Sequence, residues 1–184
     1  LTSRSRTLSV GWMASRLVLL LLALAVVADF GYAQPEPFEA RVAVLNDREM
    51  YDALLYWLPR ANSSIHIIMY VFKSDTEVIE RLLEILISKA REGVDVRVVL
   101  EGHVDKNELT YRRLMANGVM VRFDSRAHTT HCKLVIIDGY LVFVGSHNWT
   151  YSAMRRNHEA SVMVVSEEVG RLEEEYFAEV WMKG

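Results

Sequence analysis

The chain has 184 residues, 51% of them hydrophobic and 24% charged, with 9 Gly, 3 Pro and one Cys. These proportions exclude a disordered chain, a collagen-like repeat and a disulfide-built scaffold, and Cys132 alone cannot form an intrachain disulfide. Residues 1–33 hold 3 of the 21 Lys+Arg and 1 of the 24 Asp+Glu, so the remainder carries 18 against 23, a net charge of −5. A general basic coat for nucleic acid is therefore excluded, and any polyanion has to meet a local patch. Arg122, Arg126, His128, His131, Lys133, Arg155 and Arg156 are the candidates for one.

Residues 17–28, LVLLLLALAVVA, follow Arg4, Arg6 and Arg16 and lead into Asp29, the small-residue stretch Gly31-Tyr32-Ala33 and the turn-like QPEP. This is the layout of a secretory signal peptide, which makes the protein exported, periplasmic or secreted. Twelve apolar residues fall short of the roughly 20 that span a bilayer. A retained membrane anchor through 17–28 is the second reading and a buried helix the third. The expected division is a leader over 1–33 and one folded domain over 34–184.

Along the domain, short β-branched runs alternate with helical periods. RVAVL (41–45) reads as a strand, and 47–60 as a helix burying Tyr51, Leu54, Leu55 and Leu58. SIHIIMYVF (64–72) has the composition of a buried strand. Residues 76–92 form a helix opened by a Ser74 or Asp75 cap and closed by Gly93. VDVRVVL (94–100) returns to strand, 106–117 to helix ending at Gly118, and VMVRF (119–123) to strand. KLVII (133–137), Asp138-Gly139 and YLVFV (140–144) carry the signal of a β-hairpin, because Asp-Gly supplies positive φ for a type I′ turn. A loop at 145–157, a strand at 158–165 and a helix at 167–182 complete the chain. Val169, Leu172, Tyr176 and Val180 are the expected buried stripe of that last helix. The fold class is α/β: a single domain with a mixed, mainly parallel sheet and helices on both faces.

Polar residues crowd both ends of the hairpin, RAHTTHCK before it and GSHNWT after it. His131 and Lys133, two apart on an extended segment, leave the same face. A two-residue loop pairs Ile137 with Tyr140 and sets Ser146 opposite His131, with Asn148 on the same face. An imidazole, an ammonium, a hydroxyl and an amide then converge, a set suited to nucleophilic attack with donors around an oxyanion. No carboxylate pair near the hairpin looks built for Mg²⁺, so neither metal nor cofactor is expected.

HCKLVIID (131–138) matches the HxKxxxxD signature of the phospholipase D superfamily, and GSHNWT (145–150) its downstream GSxN segment. The whole domain resembles the small single-motif members, the bacterial exported endonuclease and the Zucchini-type mitochondrial nucleases. The resemblance implies that His131 is a nucleophile forming a phosphohistidine and that Lys133 and Asn148 bind phosphate oxygens. It further implies that Ser146 assists at the same phosphate and that Glu159 orients the imidazole. Asp138, the third signature residue, sits at a turn and reads as scaffold. The zinc finger of the Zucchini type has no counterpart in a chain with one Cys.

The mechanism needs two imidazoles, one to attack phosphorus and one to protonate the leaving oxygen. None of His66, His103, His128, His147 or His158 is followed two residues later by Lys. A C₂ homodimer pooling two copies of His131 supplies the second. The expected activity is metal-independent cleavage of DNA or RNA, with phospholipid hydrolysis as the alternative and a binding module as the third class. Several residues have plainer readings: His66 as a satisfied core histidine, Cys132 as a small buried residue facing away from His131, Trp149 and Tyr151 as packing rather than base-stacking groups, and Glu173 to Glu175 as a solvated helix face.

Overall fold

The computed structural model describes residues 37–184 other than Arg126; both the leader and that arginine lie outside the described residues. Its elements in chain order are β1 (Arg41–Asn46), α1 (Glu49–Trp57) with a 3-10 turn Leu58–Arg60, β2 (Ser64–Met69), α2 (Glu77–Arg91), β3 (Asp95–Leu100), α3 (Glu108–Ala116), β4 (Met120–Phe123), β5 (Lys133–Ile137), β6 (Leu141–Gly145), α4 (Tyr151–Arg155), β7 (Ala160–Val165) and α5 (Glu167–Lys183). Among the described residues no helix is long and apolar enough to cross a membrane.

The seven strands form one sheet in the order β1-β7-β6-β5-β2-β3-β4. Five strands run in one direction and two, β5 and β7, in the other. The mixed sheet with helices on both faces is as expected. Parallel neighbours, however, are confined to β2-β3-β4, because the two reversed strands are interleaved among β1, β6 and β2. One face carries the larger core, where Leu54, Leu58, Ile79, Leu82, Leu83 and Leu86 pack on Ile65, Ile67, Val98, Val135 and Phe143. The other holds Ile68, Val99, Leu134, Ile136 and Val142 under Phe177 and Trp181 of α5. Strand residues alternate between the two clusters, as the two-residue period of a pleated strand requires.

Three local expectations shift. Helix α2 starts from Thr76, and Ser74 is buried, its backbone N–H donating to Thr110 Oγ1 at 3.1 Å, so neither Ser74 nor Asp75 is the cap. The buried stripe of α5 is Gly170, Phe177 and Trp181, whereas Leu172 and Tyr176 are exposed. In the hairpin, Asp138 (φ 53°) and Gly139 (φ 70°) adopt the left-handed turn as expected. Yet Ile137 pairs with Leu141 rather than Tyr140. Tyr140 is bulged out between the two, its N–H donating to Ile137 O at 3.3 Å and its carbonyl accepting the Ser166 N–H at 2.9 Å in line with the β6–β7 ladder. The loop is thus three residues long, and the register places Leu134 opposite Val144. Ser146 is therefore not the partner of His131.

Gly170 sets how closely α5 approaches the hairpin turn. A Cβ built there meets Gly139 O at 1.9 Å and Tyr140 Cα at 2.7 Å, so only glycine lets the helix rest on the turn. Gly170→Ala is expected to lose about 1–3 kcal/mol from overpacking, more than the ~1 kcal/mol that alanine gains in helix propensity. Urea denaturation reads the difference as a lower midpoint; an unchanged or higher midpoint contradicts the close approach.

Candidate active site

The hairpin's two polar ends meet at one end of the sheet because β2 overruns its last ladder residue. Past Met69 the chain stays extended and is held from both sides. Tyr70 N–H donates to Cys132 O at 2.9 Å, Trp149 N–H to Val71 O at 2.9 Å, and Lys73 N–H to Trp149 O at 2.9 Å. Residues 70–73 thereby lie between the segment carrying His131 and the segment carrying Asn148. Trp149 locks this seam, fully buried and edge-on to Phe72 at 4.7 Å between ring centroids. It is core rather than a surface for bases.

His131 is exposed and Lys133 is buried directly beneath it. Lys133 Nζ lies 3.1 Å from His131 Nδ1 and 2.8 Å from the His131 carbonyl oxygen, to which it donates. The expected convergence of these two residues is therefore present, as close contact. Tyr70 completes the cluster, with its ring 4.5 Å from the imidazole and 5.1 Å below the ammonium. Burial drives the Lys133 ammonium pKa below its ordinary value, partly countered by the charges of Cys132 and Glu159. Lys133 still has only donors to offer, so a tetrahedral anion arriving at His131 meets a positive charge already stripped of much of its water.

Asn148 is fixed by its own carbonyl: Oδ1 accepts the Val71 N–H at 3.2 Å, which leaves Nδ2 as the free donor end. The Ser146 hydroxyl is committed differently. It donates to Glu159 Oε2 and accepts the Ala160 N–H at 3.0 Å. The other oxygen of Glu159 accepts from Asn157 Nδ2 at 2.9 Å, and its backbone N–H donates to Asp47 Oδ1 at 2.9 Å. Within one chain, then, the hydrogen bonds of the Glu159 carboxylate go to Ser146 and Asn157 rather than to the His131 imidazole. Its charge acts on Lys133, where it favours the ammonium.

Asp138 lies at the opposite end of the hairpin and is scaffold. Its carboxylate accepts the N–H groups of Asn62, Ser63 and Ser64 at 3.0, 2.7 and 3.0 Å and the Ser63 hydroxyl at 2.9 Å, tying the turn to the start of β2. Burial alone would raise its pKa, but those donors outweigh burial and hold it below the usual carboxylate range. His147 is fully buried; its Nε2 faces the Asp47 carbonyl oxygen at 2.8 Å and its Nδ1 the Ser161 hydroxyl at 2.6 Å. A carbonyl only accepts, so Nε2 carries the proton and both nitrogens are engaged in structure.

Cys132 faces away from His131, as its place on an extended segment predicts, and packs against the α5 cluster with Sγ 3.4 Å from Tyr176 Oη. That contact, reinforced by burial, pushes the tyrosine pKa up to about 12. His66 is only half satisfied on the same face: Nδ1 lies 2.6 Å from Glu174 Oε2 and the ring stacks on Phe177 at 4.5 Å, but the buried Nε2 has no hydrogen-bond partner and stands 3.5 Å from Asp95 Oδ2. Glu174 is therefore a partner of the sheet and not part of a solvated face. Burial likewise raises the Glu173 carboxyl pKa. Among the described residues, three of the basic candidates are engaged by separate partners. Arg122 caps the α5 end through Trp181 O at 2.9 Å, Arg155 lies over the Tyr51 ring and Arg156 over Tyr151.

Four residues missing from the sequence reading build the walls of the site. Asn107, fully buried, accepts the Phe72 N–H at 2.8 Å and donates to Tyr70 O at 2.9 Å and Glu101 O at 3.0 Å. The Thr110 hydroxyl binds Phe72 O, Tyr70 backs the imidazole, and Glu101 receives the Thr130 N–H at 2.5 Å. Asn107 lies 37 residues from Tyr70 and Glu101 29 residues from Thr130, with no local pattern to reveal either pairing. A polar residue at the end of an apolar strand was the only available hint. Among the described residues no group of three or more His, Cys, Asp or Glu is placed to hold a metal ion.

A domain of this topology, with an imidazole above a buried ammonium at the strand ends, has clear relatives. Residues 54–181 match the family model described as cardiolipin synthase, PLD-like domain, and the chain belongs to this phospholipase D-like family. The cardiolipin synthase of Oceanobacillus iheyensis is 38% identical over 109 residues, 53% of this chain and 22% of that protein. The chain thus spans about a quarter of the length of the cardiolipin synthases it matches. The mitochondrial cardiolipin hydrolase of Canis lupus familiaris is 28% identical over 146 residues, 79% of this chain and 56% of its own. In fold, the chain is similar to Nuc, a phospholipase D family member from Salmonella typhimurium, with a TM-score of 0.70 at 24% identity, covering 79% of this chain and 97% of that one.

Proposed function

We propose that the protein is a metal-independent phosphodiesterase of the phospholipase D superfamily that cleaves DNA or RNA through a phosphohistidine. The observation that carries this reading is the exposed His131 imidazole resting on the buried Lys133 ammonium, with the donor end of Asn148 held across residues 70–73. His131 attacks phosphorus and displaces the leaving oxygen, which takes a proton from a second imidazole. That imidazole, now neutral, draws a proton from water, and the resulting hydroxide cleaves the N–P bond and frees His131. Lys133 and Asn148 stabilise charge on the oxygens in both steps. Ser146 reaches the phosphate only by leaving Glu159, so its part is to hold that carboxylate beside Lys133.

The second imidazole comes from a homodimer. Support lies in an uncovered apolar strip on the α5 face of the sheet, reaching Val144, two residues before Ser146. Val44, Val162 and Val144 sit side by side across β1, β7 and β6, and Val42 follows on β1. Val44 is 64% exposed, Val42 58% and Val144 40%, because α5 covers only the neighbouring part of that face. Contiguous branched aliphatics of this kind mark an interaction surface. Val44→Glu is expected to shift sedimentation from dimer to monomer and to lower activity at least about 100-fold. A fully active monomer removes the dimer from the mechanism.

Lipid hydrolysis is the second reading, favoured by the named cardiolipin-acting relatives and by the alternative in which residues 17–28 are a retained anchor. The test is turnover in EDTA of single-stranded DNA, duplex DNA, RNA and cardiolipin vesicles by the domain from residue 34 onward. Cleavage of nucleic acid supports the first reading. Cleavage of cardiolipin alone overturns it in favour of the second.

A further inference from the structure

Glu101 is a carboxylate with 1% exposure at the carboxyl end of β3, and none of the chemistry above uses it. Its two oxygens serve different parts of the chain. Oε1 accepts both the backbone N–H of His103, at 2.8 Å, and His103 Nδ1, at 2.7 Å, while Oε2 accepts the backbone N–H of Thr130, at 2.5 Å. Burial would raise its pKa, yet these donors outweigh it and keep the group ionised. A charge this deep is costly unless fully paired, and here the pairing is spent on the residue immediately before His131.

Thr130 is also buried, and its hydroxyl donates to Asp124 Oδ2. The chain therefore leaves β4, closes its loop at Thr130, and delivers His131 from a residue fixed through both backbone and side chain. On the far side of the imidazole, Asn107 fixes the Tyr70 carbonyl and, through its other bonds, the Glu101 carbonyl. The two supports of the imidazole, Thr130 behind it in sequence and Tyr70 against its ring, thus trace to one buried polar bracket at the end of β3.

We infer that Glu101 is a positioning residue for His131: its carboxylate, acting through the Thr130 N–H, sets where the imidazole stands over Lys133. The inference rests on His131 being the reacting group. Only an ionised carboxylate fits, because both of its ends must accept. A glutamine of the same shape turns its NH₂ toward either Thr130 N–H or His103 N–H, setting donor against donor. Misplacement of a reacting group by about 1 Å costs on the order of 10²-fold in rate while leaving remote substrate contacts intact.

The test compares wild type and Glu101→Gln on bis(p-nitrophenyl) phosphate and on single-stranded DNA, with thermal melting alongside and amide hydrogen exchange of Thr130 in the wild type. The expected result is a folded variant whose kcat falls about 10–100-fold with KM within about twofold, and a Thr130 amide strongly protected in the wild type. A folded variant with wild-type kcat, or one whose KM rises while kcat stands, overturns the inference. So does a Thr130 amide that exchanges like an exposed loop, a result that stands even if Glu101→Gln does not fold. Absence of turnover by the wild type on both substrates instead overturns the phosphodiesterase reading on which the inference rests.

Discussion

His131→Ala abolishes turnover, by at least about 10⁴-fold in kcat, and leaves the fold intact. The size of the loss follows from the role: removing a nucleophile removes the covalent route, and what remains is catalysis by binding and donors alone. The intact fold follows from exposure, since the imidazole is solvent-facing and its hydrogen-bond partner, Lys133 Nζ, keeps a second bond to the His131 carbonyl oxygen, which alanine retains. The check is kinetic and chemical together. With ³²P-labelled substrate and an alkaline quench, wild type yields a protein-bound phosphoramidate during turnover and the variant yields none. A variant with undiminished kcat, or a wild type that never carries label while turning over, refutes the assignment.

Asp138→Ala has the largest expected effect on stability, about 3 kcal/mol. Four donors at the start of β2 lose a charged acceptor, and each such bond is worth roughly 1.5–3 kcal/mol, though the losses are not additive. Alanine must also hold the φ of 53°, a conformation that costs a residue without a local hydrogen-bonding side chain roughly 1–2 kcal/mol. Asp138→Asn keeps that tolerance and one acceptor oxygen, so it falls between the two. The pH dependence has a definite sign. The folded-state pKa of Asp138 is depressed, so its contribution is fully present above the unfolded value of about 3.9 and is lost as pH falls through the folded value. Denaturant titrations are therefore expected to show a constant gap between wild type and Asp138→Ala from about pH 5 to 8. The gap narrows below about pH 4; one that widens in acid contradicts the carboxylate's role.

The contrast between these two signature residues shows which information lay in the chain and which did not. The nearness of His131 and Lys133 is legible in the sequence because two residues apart on an extended strand is a local relation, and Lys133 Nζ stands 3.1 Å from His131 Nδ1. The partnership of Ser146 with His131 was also derived locally, from the turn. It fails because the ladder resumes at Leu141 opposite Ile137, with Tyr140 as an extra bulged residue that the Asp-Gly turn signal does not reveal. A one-residue slip in register redirects every side chain that follows. The helix face of α5 holds in part: Val169 and Val180 pack on the sheet as expected, but Gly170 against the hairpin turn, Phe177 and Trp181 are the buried residues where Leu172 and Tyr176 stay exposed.

Alternation of apolar residues, turn chemistry at Asp138-Gly139 and the spacing of His131, Lys133, Ser146 and Asn148 were enough to specify the α/β class, the strand sequence and the family, because each is a short-range property of an extended or helical backbone. Long-range partners were beyond that reach. Glu101 on Thr130, Asn107 on Tyr70, Glu159 on Ser146 and His66 on Glu174 join residues brought together only when the sheet assembles. Each polar group then takes whichever donor or acceptor the packed backbone leaves beside it. Folding of the sheet decided those pairings, and with them the position of the imidazole over its lysine.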